Sequence, residues 1–209
     1  RQDIVQLRKY FKKVHDGSIP NDLFNDKRFP RVSQFKLRGI KSSFVKSFSK
    51  QLIRSGKITK FDTDSKLSNY ARRVYDNYKE NHINKKPGHE PILKNILIKD
   101  KDSVAIEVPI WKKVKNNSYV TGHIDLIQVD NNHIKVIDYK PEGKFLISLP
   151  QVAVYGLLAR TLLNIKNLKC ISFNKDKAWE YSPNLILELI SKSQYSKFIT
   201  GKELIKQII

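Results

Sequence analysis

The sequence predicts an α/β fold, a central mixed sheet flanked by helices, with a basic helical extension on its N-terminal side. Three observations lead there. Strand-like runs crowd residues 103–140, segments with helical spacing precede and follow them, and residues 1–66 hold 17 Lys or Arg against 6 Asp or Glu, a net of +11. A chain of 209 residues can bury a substantial core. The expected division is a basic helical region, 1–66, packing on a core formed by 67–209.

Taken in order, Ile4, Leu7, Phe11 and Val14 recur at helical spacing beside Arg8, Lys9, Lys12 and Lys13. Leu37, Ile40, Phe44, Phe48 and Leu52 repeat the pattern, flanked by Lys36, Arg38, Lys41, Lys46 and Lys50. Each stretch can pack an apolar face on the core and turn a basic face outward. Asp16-Gly-Ser-Ile-Pro20 and Phe29-Pro30 are loop signals between them. Residues 67–82 read as a helix with Tyr70, Val74 and Tyr78 on one stripe, which suits core packing better than base stacking. Residues 84–88 break it, and 92–99 fit either a strand or a helix. Strands follow at about 103–110, 118–129 and 133–140, then a helix at about 149–163 opened by Ser148-Leu149-Pro150. A strand near 167–174 precedes a hairpin partner containing Trp179 and Tyr181, and 185–193 and 202–209 read as closing helices.

The two middle strands meet at Asp130-Asn131-Asn132-His133, where Asn tolerates the positive φ of a two-residue hairpin turn. With Asn131 and Asn132 as the turn, cross-strand partners have numbers summing to 263. Asp125 then lies opposite Asp138, and His123 opposite Lys140. Alternation groups His123, Asp125, Ile127 and Val129 with Ile134, Val136, Asp138 and Lys140 on one face. That face is aliphatic near the turn and carries two opposed like charges at its far end. Such a pair repels and loses hydration, costs that a divalent cation would offset. Oxygen ligands favour Mg²⁺ or Mn²⁺. Lys140, two residues beyond Asp138, points to the same side and can position a water and stabilise charge on a phosphate. A surface ion-pair cluster is the plainer account of any Asp-x-Lys, and the opposed Asp on an apolar face weighs against it.

Gly122-His-Ile-Asp125, Asp138-Tyr139-Lys140 and Gln151-Val-Ala-Val-Tyr155 follow one another in a run that begins after the strand Val104-Ala-Ile-Glu-Val-Pro-Ile-Trp111. In this order and spacing, Gly-x-x-Asp, Asp-x-Lys and Gln-x-x-x-Tyr resemble the RecB-like branch of the PD-(D/E)XK nuclease superfamily, over residues 104–160. The resemblance implies a restriction-endonuclease-like core. It implies metal ligation by Asp125 and Asp138, completed by the carbonyl of Tyr139, with Lys140 as the catalytic lysine. Gln151 and Tyr155, four apart on one helix face, would support the site and approach DNA. Such nucleases also use an upstream His or Glu. His89, as a ligand, and Glu90, as a catalytic carboxylate, are favoured, with Glu80 and His82 as alternatives and Glu107 as a strand residue less suited to the role.

Composition narrows the partners. A formal charge of +20 suits a polyanion, bound through counterion release. DNA is the expected partner in preference to an acidic membrane surface. No apolar run of about 18 residues is read in the chain, so no membrane span is expected, and no signal or lipidation pattern is seen. The single cysteine, Cys170, sits in an apolar strand. One cysteine cannot supply the four-cysteine iron–sulfur cluster that some RecB-type nucleases carry, and it suits a reducing compartment. Heavy use of Lys, Ile and Asn resembles AT-rich archaeal or viral sequences, the nucleases of spindle-shaped archaeal viruses among them. The cytoplasm, the host's for a viral protein, is the expected location.

The expected function is Mg²⁺- or Mn²⁺-dependent DNA phosphodiester hydrolysis by a metal-activated water. One rival is a non-catalytic DNA-binding protein on the same scaffold. Another is a branched-DNA (Holliday junction) resolvase, which requires a homodimer to cut two strands symmetrically.

Overall fold

The computed structural model describes residues 2–130, 133–165 and 167–208. The helices are α1 (Gln2–His15), α2 (Asn21–Asn25), α3 (Ser42–Arg54), α4 (Lys66–Glu80), α5 (His89–Lys99), α6 (Phe145–Leu163), α7 (Leu185–Ser191), α8 (Ser193–Ser196) and α9 (Lys202–Ile208). The strands are β1 (Ile58–Phe61), β2 (Ser103–Lys113), β3 (Tyr119–Asp130), β4 (His133–Tyr139), β5 (Leu168–Phe173) and β6 (Ala178–Tyr181). They form one mixed sheet in the order β1-β6-β5-β4-β3-β2. Every neighbouring pair is antiparallel except β4 and β5, which run parallel and are joined by the α6 crossover. The fold is α/β.

Two apolar clusters hold helices to the sheet. In the smaller, Leu67, Ala71 and Val74 of α4 and Ile92, Leu93 and Ile96 of α5 meet Leu126, Ile137, Ile171 and Phe173. Tyr70 and Tyr78, half-buried, pack against its edge. In the larger, α6 lies over Ile127, Val136 and Cys170, with the N- and C-terminal helices around it. Cys170 is fully buried on β5.

The 19-residue α6 corrects the expectation that no span-like run exists. Its most apolar window has a mean hydropathy of 1.5, enough by length and composition to cross a membrane, yet 78% of that window is buried within the protein. A helix apolar on all sides is what a fully enclosed core position requires. It also starts at Phe145, a turn before the Ser148-Leu149-Pro150 opening, so Pro150 lies inside it. Proline removes a helical donor and disturbs the preceding turn. There the carbonyl of Ile147 accepts the Leu37 N–H at 2.9 Å.

Residues 1–66 are woven into this core. Leu7, Tyr10, Val32, Phe35, Phe48 and Leu52 are buried in the larger cluster, and the Tyr10 hydroxyl donates to the Pro109 carbonyl at 2.5 Å. The region also supplies β1, an edge strand paired with β6 that the sequence pattern did not announce. The helix expected from Leu37 begins instead at Ser42, while Leu37 forms a bridge with Ile199. Residues 92–99 are helical, as part of α5.

The register between β3 and β4 is the predicted one. Pairs run from Asp130↔His133 to Leu126↔Ile137, each summing to 263. The turn residues Asn131 and Asn132 lie outside the described residues. Because Leu52 of α3 is buried in the same cluster as the α6 core, Leu52→Ala should lower stability by about 2–5 kcal/mol. It should do so within a single unfolding transition in urea, followed by tryptophan fluorescence and far-UV dichroism together. A separate, earlier transition confined to the helical signal would show that residues 1–66 fold as their own unit.

Candidate metal centre

The site forms where β3 leaves β4. Pairing stops at Leu126↔Ile137, whereas β4 stays with β5 through Tyr139↔Phe173 and the Lys140 N–H reaches the Phe173 carbonyl at 2.7 Å. In the fork thus opened, the Asp125 carboxylate replaces a strand carbonyl as acceptor, and its Oδ2 accepts the Tyr139 N–H at 2.9 Å. Asp125 and Asp138 therefore stand at opposed register positions without being a hydrogen-bonded pair.

Asp138 is almost fully buried, its side chain 1% exposed. Lys140 Nζ stands 2.5 Å from Asp138 Oδ2, close enough for an ion pair. The approach is off the angle of a hydrogen bond, so this buried oxygen has no directed donor. On the other side Gln151 bridges the two residues: its Nε2 donates to Asp138 Oδ1 and its Oε1 accepts from Lys140 Nζ, both at 3.4 Å. Burial first, and the charge of Asp138 second, raise the pKa of Asp125 well above the ordinary carboxylate range. Burial also raises that of Asp138, against the opposing pull of Lys140.

His89 arrives from the first residue of α5. Its Nε2–H donates to the Tyr139 carbonyl at 3.0 Å and lies 3.8 Å from Asp125 Oδ2, and its ring meets the Tyr139 ring edge-on at 5.2 Å. Tyr139 thus presents its carbonyl to the site while its buried side chain points into the smaller cluster, where its hydroxyl meets that of Tyr75 at 3.0 Å. Glu90, the next residue, turns away. Its carboxylate is 75% exposed and pairs with Lys94 at 2.6 Å, one turn along the same helix. The structure gives it no contact with the site, which removes the basis for assigning it a catalytic part. Glu80 and His82 are exposed around the end of α4, with no polar contact to the cluster among the described residues.

The predicted common face is kept only in part. Ile127, Ile134 and Val136 share the larger cluster, but His123 does not stand over Lys140. Its ring packs on Phe24 at 5.0 Å, and the partial desolvation there lowers its pKa although the residue as a whole is exposed. The cause is a break in the pleat at Glu107, the β2 residue abreast of Asp125, whose φ is +50°. Ile106 and Leu126 pack in the smaller cluster, yet Val108 and Ile124, two residues along, pack in the larger. Positive φ is uncommon outside glycine and asparagine. The sequence held no signal for it. The Glu107 carboxylate opposes ionisation of both Asp125 and Asp138, so it belongs to the electrostatics of the site.

Gln151 and Tyr155 do share one face of α6, and both are buried, at 7% and 3% exposure. Tyr155 explains Gly122. A Cβ added at 122 would lie 2.6 Å from Tyr155 Cε1 and 3.0 Å from its hydroxyl. The glycine of Gly-x-x-Asp is required by the tyrosine of Gln-x-x-x-Tyr.

The donors present suit a hard divalent cation. They are the buried Asp138 carboxylate, with one oxygen lacking a directed donor, the half-buried Asp125 carboxylate, whose side chain is 14% exposed, and the Tyr139 carbonyl, with the His89 imidazole beside them. Among the described residues no three His, Cys, Asp or Glu side chains converge tightly enough to enclose an ion by themselves. That pattern fits Mg²⁺, which retains waters and uses one or two carboxylates, better than a closed zinc site.

No family model and no curated protein matches this chain. Among solved structures, one described as "Crystal structure of SSO0001" is similar at 18% identity, covering 72% of this chain and 83% of that one, with a TM-score of 0.33. A likeness so slight bears on neither fold nor function.

Two outcomes follow from this geometry. Gly122→Ala should cost about 1–3 kcal/mol through overpacking. Adding Tyr155→Leu should recover part of the loss, and strict additivity in a double-mutant cycle would refute the contact. The raised pKa of Asp125 means that the folded chain binds its proton more firmly than the unfolded chain, where an aspartate titrates at about 3.9. Between those two values stability falls as pH rises. In EDTA, Asp125→Asn should therefore raise Tm at pH 7, by about 2–4 °C for each kcal/mol relieved. The gain should shrink as pH falls towards about 4. A gain independent of pH would mean that burial of the charge is not its source.

Proposed function

We propose that this protein is a metal-dependent DNA nuclease that hydrolyses phosphodiester bonds. The observation that supports this most is the meeting of Asp125, Asp138, Lys140 and Gln151 in one fork, with His89 at its edge, brought there by four elements and the residue after β4. Asp125 and Asp138, with the Tyr139 carbonyl, would hold Mg²⁺ or Mn²⁺. Such an ion, when bound, supplies a Lewis acid that lowers the pKa of water and polarises a phosphoryl oxygen.

The chain's own residues do the rest. Lys140, with its side chain 20% exposed, is the ammonium that can reach a phosphate while remaining on Asp138. There it orients an attacking water and stabilises negative charge as it develops on the phosphoryl oxygens. Gln151 fixes the lysine from behind. His89, tied to the Tyr139 carbonyl, holds the orientation of the peptide that links the second carboxylate to the lysine. The net charge of +20 draws the polyanionic substrate to a site whose own carboxylates would otherwise repel it. That repulsion is the reason to prefer catalysis to a purely binding role, since a DNA-binding surface gains nothing from two carboxylates set beside phosphate.

Wild type and Lys140→Ala should be compared on labelled linear, circular and four-way-junction DNA with Mg²⁺, Mn²⁺ or EDTA. Cutting should require metal and fall by at least about 10²-fold in the variant, with binding retained. A wild-type protein that binds all three substrates and cuts none with either metal would leave the binding-scaffold account in its place. Independently of cutting, Mg²⁺ or Mn²⁺ should raise Tm with concentration, by about 2.7 kcal/mol of added stability at a hundredfold excess over Kd. Asp138→Asn should abolish that response. A response unchanged in the variant would place the metal elsewhere.

A further inference from the structure

Next to the fork, α3 and the first turn of α6 form the walls of an open groove of about 670 Å³. Val45 and Ile53 of α3 and Leu146 of α6 give it an apolar floor, and the stacked pair Phe145 and Trp179, whose rings lie 4.3 Å apart at 14°, also lines it. Five lysines stand around it: Lys46, Lys50, Lys60, Lys144 and Lys177. No Asp or Glu lines it. Lys60 is paired with Asp62 at 2.6 Å, and among the described residues the other four have no carboxylate within ion-pair distance.

The lining of the groove begins three residues beyond the candidate lysine, at Gly143. Gly143, part of its wall, donates its N–H to the Lys140 carbonyl at 2.9 Å and so closes a tight turn. The Cα atoms across such a turn are within about 7 Å. The same helix, α6, lines the groove with Phe145, Leu146 and Ile147 and supplies Gln151 to the site.

Exposed apolar surface is unfavourable in water, and a rim of ammonium groups, all but Lys60 without a carboxylate partner among the described residues, adds a positive field; the two make different demands on a ligand. One demands apolar surface, the other negative charge. A polyanion with exposed planar apolar faces meets both. Duplex DNA meets only the second, because its base faces are hidden in the stack. We infer that the groove binds single-stranded DNA, seating unstacked bases on the floor and phosphates on the lysine rim, and delivers the strand to Lys140. This rests on the DNA reading above and adds the form of the strand. The volume is that of a cavity for a drug-sized ligand, enough for about one or two nucleotides. Since Phe145 and Trp179 are buried and cover one another's faces, the bases lie chiefly on aliphatic side chains.

The test uses the full chain in EDTA, so that binding is read without cutting. Fluorescence anisotropy would compare labelled oligothymidine, a duplex of equal length and an abasic sugar-phosphate strand of equal length. Two variants perturb the groove in different ways: Ser49→Trp fills it, and the double substitution Lys46→Ala/Lys50→Ala removes exposed rim charge and leaves the fold intact. Both should weaken oligothymidine binding by about tenfold or more while leaving the duplex within about twofold. The lysine pair should also make the salt slope for the single strand shallower by about 1.4. Wild type should bind the abasic strand about tenfold more weakly than oligothymidine, the loss expected when about 60 Å² of base surface is no longer buried.

Unchanged oligothymidine binding in the lysine variant, equal losses for single strand and duplex, or an abasic strand bound as tightly as oligothymidine would each overturn the inference. So would variants that lose only their binding to phosphatidylserine–phosphatidylcholine vesicles, which would make the groove a lipid site. The nuclease reading fails or stands separately. Metal-dependent cutting without this binding pattern removes the groove alone, and the pattern in a protein that cuts nothing removes the nuclease alone.

Discussion

Two carboxylates set in the fork between β3 and β4, Asp138 buried and Asp125 half-buried, are the constraint to which the surrounding structure is fitted. Charges of one sign in a low-dielectric pocket repel and lose hydration, and each must be balanced by groups that local sequence cannot supply. Asp125 finds the Tyr139 N–H, released because the β3–β4 ladder has ended. Asp138 finds Lys140 beside it and Gln151 above it. For Gln151 to be there, α6 must cross the sheet directly over the end of β4, which the parallel β4–β5 connection achieves. The balance is incomplete, as the raised pKa of both acids records.

The short motifs are linked by contact as well as by order along the chain. Gly122 is small because Tyr155 lies against it, and Tyr155 lies there because Gln151, one turn earlier, is anchored on Asp138 and Lys140. A change in one motif is therefore transmitted to the others through α6. The break at Glu107 has a similar reach. By turning β2 where it passes Asp125, it moves Val108 and Ile124 to the larger cluster and takes His123 away from Asp138 and Lys140.

The basic N-terminal residues gain their meaning from the same packing. Were 1–66 a loosely tethered arm, its lysines would give general affinity for polyanions and no direction. Instead α3 lies against the core through Phe48 and Leu52, and β1 extends the sheet beyond β6. The lysines on α3 are thereby held at fixed positions beside the loop that follows Lys140. Charge that composition reports only as a total becomes a rim around one groove.

By itself the sequence determined whatever depends on short-range periodicity. The two-residue period carried the β3–β4 register, and with it the opposition of Asp125 and Asp138. The apolar spacing placed α4, with its tyrosines at the core, and Cys170 in a buried strand. Other features were decided only when elements met. Residues 92–99 suit helix or strand, and packing of α5 on β2 chose the helix. β1 is four residues long and exists because β6 offers it a partner. His89 and Glu90 are neighbours whose side chains leave the helix about 100° apart. The docking of α5 sends one to Tyr139 and the other to Lys94. Periodicity records which face of an element is apolar, and it does not record which element that face will meet. That second quantity is a sum of many long-range contacts, and only the folded chain evaluates it.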